Sequence, residues 1–146
     1  MILAINIFFI IKVLDKGRIS GFVFFEENKN SPSNTILDDS ITANNTSVSF
    51  FVDNPLLVRY SDSGSMLPFI DKDSTGVFIR PKSENDINVG DIINFRKEGK
   101  LIVHRIVEKG QDNGGVYFIT KGDNNNIYDE KIRFEDIDSV LVAVIY

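Results

Sequence analysis

The sequence predicts a mostly β domain built on an antiparallel, coiled sheet or partial barrel, preceded by a short hydrophobic N-terminal segment. Three observations carry that expectation. From Val48 onward, short runs rich in Val, Ile, Phe and Tyr recur between turn residues, the pattern of half-buried strands. Glu98-Gly99-Lys100 and Asp112-Asn113-Gly114-Gly115 are compact connections of the kind that close hairpins, and hairpins in series build antiparallel sheets. No stretch of this region sustains helical periodicity, and no internal repeat is apparent.

Along the chain, Met1–Leu14 is apolar except for Asn6 and Lys12. As a helix it would reach roughly 21 Å, short of the ~30 Å hydrocarbon core, and its Ile and Phe content suits a buried strand equally. A membrane anchor and a core element are therefore both open for residues 1–14. It lacks the basic start and small-residue cleavage site of a secretory signal. Ile19–Phe25 is apolar enough for a strand. Glu26–Ser47, rich in Asn, Ser, Thr and Asp, has almost no hydrophobic face to repay ordering and reads as a polar linker, so residues 15–47 form a strand plus linker. The expected strands of the β domain, residues 48–146, are Val48–Val52, Leu56–Tyr60, Gly76–Arg80, Asp91–Lys97, Leu101–Lys109, Val116–Lys121 and Ser139–Ile145.

The 146 residues suit one domain with a substantial core. A net charge of −5, with no block of Lys or Arg, gives non-specific nucleic-acid binding little electrostatic support. The absence of cysteine excludes disulfides, thiol catalysis and Cys-ligated zinc, and one histidine makes a catalytic zinc site improbable. No metal or other cofactor is expected.

A serine paired with a base is the candidate chemistry. A serine needs a neighbouring base to become a nucleophile at neutral pH, and His104 is the one imidazole in the chain. Alternation on a strand puts Ile102, His104 and Ile106 on one face, where burial and a nearby carboxylate would tune the ring for base catalysis. A core histidine satisfied by a backbone carbonyl is the plain alternative. Ser63-Gly64-Ser65-Met66-Leu67-Pro68 presents Ser65 on a turn stiffened by Pro68, beside a glycine that lets another chain approach. Lys121-Gly122-Asp123 and three asparagines form a turn signal, and either Asp123 or Asp129 could orient the imidazole. The acidic runs Glu84–Asp86 and Glu135–Asp138 read as solvated surface, and Val89–Ile93 as a structural turn entering a strand.

Taken together, SGSMLP, VGDII, IVHRIV and FITKGDNNNIYD resemble, in order, the blocks of the type I signal peptidases, specifically the archaeal and endoplasmic-reticulum branch. The resemblance covers roughly Leu57 to Ile145. It implies Ser65 as nucleophile and His104 as general base, where the bacterial branch uses lysine. It implies Asp129 as the triad carboxylate, with Asp123 supporting it or competing for that role. The Ser63 hydroxyl and the Ser65 N–H would bind the oxyanion. The implied substrates are signal peptides of exported proteins, cut after small residues. Such a peptide would add as a strand between Leu57–Ser61 and the His104 strand, against Leu57, Tyr60, Met66 and Ile102. The resemblance further implies membrane association, with the catalytic domain on the extracytoplasmic or lumenal side; accessory subunits are not identified. Two other readings are a non-enzymatic β module that binds peptides or a partner, and a self-cleaving regulatory relative.

Overall fold

The computed structural model describes residues 31–146. The hydrophobic segment 1–14 and the expected strand 19–25 lie outside the described residues. Among the described residues no helix is long and apolar enough to cross a membrane.

Two compact units divide the chain, and 36–51 are the described part of the first. Here a single 3-10 turn, Asp38–Ser40, leads into a small hairpin of β1 (Ile41–Ala43) and β2 (Val48–Phe50), with Ile41 opposite Phe50. The sequence reads a linker through Ser47, whereas the structure places a strand at Ile41–Ala43. Asn44 is the reason a polar segment can do this: its side-chain carbonyl accepts the N–H groups of Thr46 and Ser47, closing the turn locally.

The second unit, whose described part is 31–35 with 52–146, carries one sheet of six strands. These are β3 (Leu56–Arg59), β4 (Thr75–Ile79), β5 (Ile92–Lys97), β6 (Lys100–Asp112), β7 (Gly115–Lys121) and β8 (Ile137–Ile145). The spatial order is β3-β4-β8-β5-β6-β7, every pair is antiparallel, and the sheet stays open. The two expected hairpin connections join β5 to β6 and β6 to β7. The last strand inserts between β4 and β5, a long-range pairing that hairpin signals do not announce.

Both faces of the sheet are covered. On one side Ile93, Phe95 and Ile106 pack with Ile87, Phe118, Ile132 and Val140. On the other, Ile92, Phe78 and Leu141 pack with Met66 and Ile70, which come from the loop after β3. A central strand covered on both faces should read as a continuous apolar run, and Ile92, Ile93 and Phe95 are each fully buried. Each such side chain contributes roughly 1.5–3 kcal/mol by leaving water. Register shifts at Asn94/Phe95, Val77/Phe78 and Ile106/Glu108 add bends that coil the sheet.

One detail of the pairing positions the site. β6 pairs with β5 from Lys100 to Arg105, but β7 joins its other side only from Arg105, opposite Lys121. Residues 100–104 therefore present one unpaired backbone edge among the described residues.

Candidate active site

Ser65 sits in the loop between β3 and β4. Gly64 adopts a left-handed φ of 68°, which reverses the chain without steric cost, and the Leu67 N–H then donates to the Gly64 carbonyl. The Leu67–Pro68 peptide bond is cis. Met66 and Ile70 anchor the loop in the second core. The Ser65 hydroxyl lies 3.2 Å from the Ser63 hydroxyl, and the Ser65 N–H donates to Ser63 Oγ at 3.4 Å. The three groups named for nucleophile and oxyanion therefore form one small cluster.

His104 stands on the open half of β6 and is 7% exposed. Its Nδ1 is 2.6 Å from Asp129 Oδ2. Thr120 of β7, fully buried, donates its hydroxyl to the same carboxylate oxygen at 2.7 Å, and the Asp129 N–H donates to the Thr120 carbonyl. Strand β7 thus fixes the carboxylate that fixes the ring. An imidazole with Nδ1–H given to a carboxylate keeps Nε2 free to accept a proton.

Asp123 takes a different partner. Its two oxygens accept the Nε and Nη2 of Arg105 at 2.8 and 2.7 Å, a bidentate pair. Arg105 also donates to the Gly90 carbonyl at 2.9 Å, and its guanidinium lies 5.4 Å from the Phe69 ring centre. The turn that carries Asp123 rests on the serine loop: Asn124 donates its N–H to the Ser65 carbonyl at 2.9 Å and its side-chain amide to the Gly64 carbonyl at 3.1 Å. The residue following His104 is in this way tied, through Asp123 and its turn, to the backbone of Ser65.

Ser65 and His104 both line a groove of about 730 Å³ between the end of β3, the serine loop and the open half of β6. Their side chains are not hydrogen-bonded to each other; the hydroxyl contact of Ser65 is to Ser63. Unliganded catalytic contacts are commonly loose and tighten on substrate. Of the residues expected to bind peptide, Tyr60, Met66 and Ile102 line the groove. Leu57 does not: it is 73% exposed, while Leu56 and Val58, its alternating neighbours, turn to the core. Tyr60 has a buried hydroxyl with no partner among the described residues, packed where a Cβ on Gly76 would fall. Burial, helped by Tyr146, holds that phenol well above the usual tyrosine range.

Three further residues of the site escape a reading by motif. Thr120 and Arg105 sit inside quoted motifs, yet a threonine in a strand and an arginine beside a histidine carry no distinguishing signal. Asn94 lines the groove from β5, and a polar residue between Ile93 and Phe95 was the signal that could have marked it. Among the described residues no group of three or more histidines or carboxylates is placed to hold a metal ion.

A hydroxyl, an imidazole and a carboxylate on one antiparallel β frame are the parts that a serine-type hydrolase requires. Comparison with known proteins narrows the class. The chain is 38% identical over 86 residues to the signal peptidase complex catalytic subunit SEC11C of human and of dog, a match covering 57% of this chain and 43% of theirs. The signal peptidase complex catalytic subunit sec11 of Dictyostelium discoideum is 38% identical over 80 residues, covering 53% of this chain and 42% of its own. No family model and no solved structure matches. The chain is a homologue of signal peptidase catalytic subunits and spans less than half the length of these relatives.

Proposed function

We propose that this protein is a serine endopeptidase of the signal-peptidase type, removing leader peptides from exported proteins through an acyl-enzyme. The observation that carries the reading is the 2.6 Å contact between His104 Nδ1 and Asp129 Oδ2 at a groove that Ser65 also lines. Asp129 is assigned as the triad carboxylate, because Asp123 spends both oxygens on Arg105.

Ser65 Oγ attacks the scissile carbonyl carbon while His104 Nε2 takes the hydroxyl proton, and Asp129 stabilises the imidazolium through Nδ1–H. The Ser63 hydroxyl and Ser65 N–H turn from each other to the developing oxyanion, donors that typically contribute a few kcal/mol each. The imidazolium returns its proton to the leaving amine, and water then cleaves the ester by the same base. Substrate pairs as an extended strand along residues 100–104, facing Tyr60, Met66 and Ile102. The six-stranded sheet within residues 52–146 forms the catalytic β domain. Because the relatives are by name subunits of a complex, the proposal includes partner subunits, and it places the domain at a membrane on the extracytoplasmic or lumenal side.

The test is cleavage of a purified signal-peptide substrate after a small residue. Ser65→Ala and His104→Ala should each lose at least about a hundredfold in rate. The rate should also fall as pH is lowered from about 8 to 5, because an imidazolium cannot accept a proton. Ser65→Ala turning over at the wild-type rate, or a flat pH profile, refutes the mechanism. Peptide binding without cleavage would leave the non-enzymatic β module in its place.

A further inference from the structure

Asn94 is an unexpected occupant of its position. It lies at the centre of β5, 1% exposed, opposite Val103 of β6 and Ser139 of β8. Its amide nitrogen donates to Ser139 Oγ at 3.3 Å, while its Oδ1 has no hydrogen-bond partner among the described residues. Leaving a buried acceptor unpaired costs roughly 1–3 kcal/mol, a penalty that an aliphatic residue would avoid. The same side chain lines the groove, where its neighbours Val58, Met66, Ile70 and Val103 are apolar. One unspent polar group set among apolar side chains is how a binding site fixes the identity of a ligand group.

We infer that Asn94 is a specificity-determining residue, and that this side of the groove takes a small hydroxyl-bearing side chain, serine or threonine, from the bound peptide. The inference rests on the peptidase reading for the peptide and its extended form. Along a strand paired with residues 100–104, alternate side chains face the Val103–Asn94 side, so the effect belongs to alternate positions before the cut. A hydroxyl both donates and accepts, so it satisfies the amide whichever of its two ends faces the ligand. An apolar pocket alone would favour valine over threonine. The polar floor reverses that order, because a threonine hydroxyl pairs with the amide whereas a valine methyl leaves it unpaired.

The probe is a fluorescent decapeptide leader with alanine at the three positions before the cut, into which threonine or its isostere valine is placed singly. Binding is measured by anisotropy to the Ser65→Ala protein, and cleavage is measured with wild type. At one or two of the three positions, threonine should bind about three- to tenfold tighter than valine, the worth of one neutral hydrogen bond. Adding Asn94→Leu, checked for fold by circular dichroism, should abolish or invert that ratio. Equal or tighter binding of valine at all three positions overturns the inference, and so does failure of either peptide to bind. The threonine-to-valine ratio of the Asn94 protein decides alone should the Leu variant not fold. The two readings separate: a threonine preference in binding without cleavage by wild type sinks the peptidase and keeps Asn94, while cleavage blind to threonine does the reverse.

Discussion

A single methyl group at Gly122 tests the placement of Ser65. Gly122 is buried at the start of the turn after β7, and a Cβ there would fall 2.6 Å from the carbonyl oxygen of Ser65 and 2.7 Å from the side-chain nitrogen of Asn125. The asparagine amide can swing away. The carbonyl is backbone, and restoring 3.0–3.4 Å requires the serine loop to retreat by about 0.4–0.8 Å. That retreat stretches the 2.9 Å bond from the Asn124 N–H to the same oxygen. Since a reacting group misplaced by about 1 Å can cost on the order of a hundredfold, Gly122→Ala should lower kcat by about ten- to a hundredfold. KM should change far less, because the groove walls of β3 and β6 are untouched. Steady-state kinetics on a signal-peptide substrate, paired with a thermal melt, read both effects. A variant with kcat within about twofold of wild type and an unchanged melting temperature would refute the docking of this turn on the Ser65 loop.

Asp129→Asn should reduce kcat at least about a hundredfold with little change in melting temperature, because it disturbs the tautomer and orientation of His104. Asp123→Asn should instead lower stability by about 1–3 kcal/mol through Arg105 and leave the shape of the pH–rate profile intact; the opposite ranking would exchange the roles of the two aspartates. Asp112 is held far below the usual carboxylate range by hydrogen bonds from Lys131, Arg133 and the Gly114 N–H. Its depressed folded value means that it stabilises above the unfolded pKa of about 4 and loses that contribution as pH falls below it. The melting-temperature gap between wild type and Asp112→Asn should therefore be widest near neutrality and close in acid; a gap that widens in acid would contradict the sign. Tyr60→Phe removes a buried hydroxyl with no partner and should raise stability by about 1 kcal/mol in a denaturant titration, a decrease showing that the hydroxyl has a partner after all.

The parts of this fold written in local pattern were legible. The run Ile92–Lys97 and the turn Glu98-Gly99 define β5 and its hairpin because alternation and turn chemistry act within a few residues. Strand β6 extends beyond its expected end, to Asp112, because Gly110 and Gln111 gain partners in β7 that composition cannot supply. Ile41–Ala43 was hidden because its ordering comes from the Asn44 turn and a partner strand rather than from a hydrophobic face. At the site, Ser65, His104 and the two aspartates stood out by residue type and spacing. The division of labour between Asp123 and Asp129 did not, since it depends on which carboxylate folding brings to Arg105 and which to His104. The acidic run at Glu84–Asp86 is at the surface as expected, and Asp86 there accepts the N–H groups of Lys82 and Ser83 to close a turn.

The half-bare flank of β6 sets terms for anything that docks there. Residues 100–104 offer main-chain donors and acceptors whose spacing is the same whatever side chains the visitor carries. Recognition along most of this length therefore reads shape before identity, so unrelated extended segments can share one cleft. Proline is refused wherever the guest must supply an amide hydrogen, and helical segments must unwind before they can enter. The same exposed flank would attract a second copy of the chain, and Lys100, placed at its tip, sets a charge against such self-pairing.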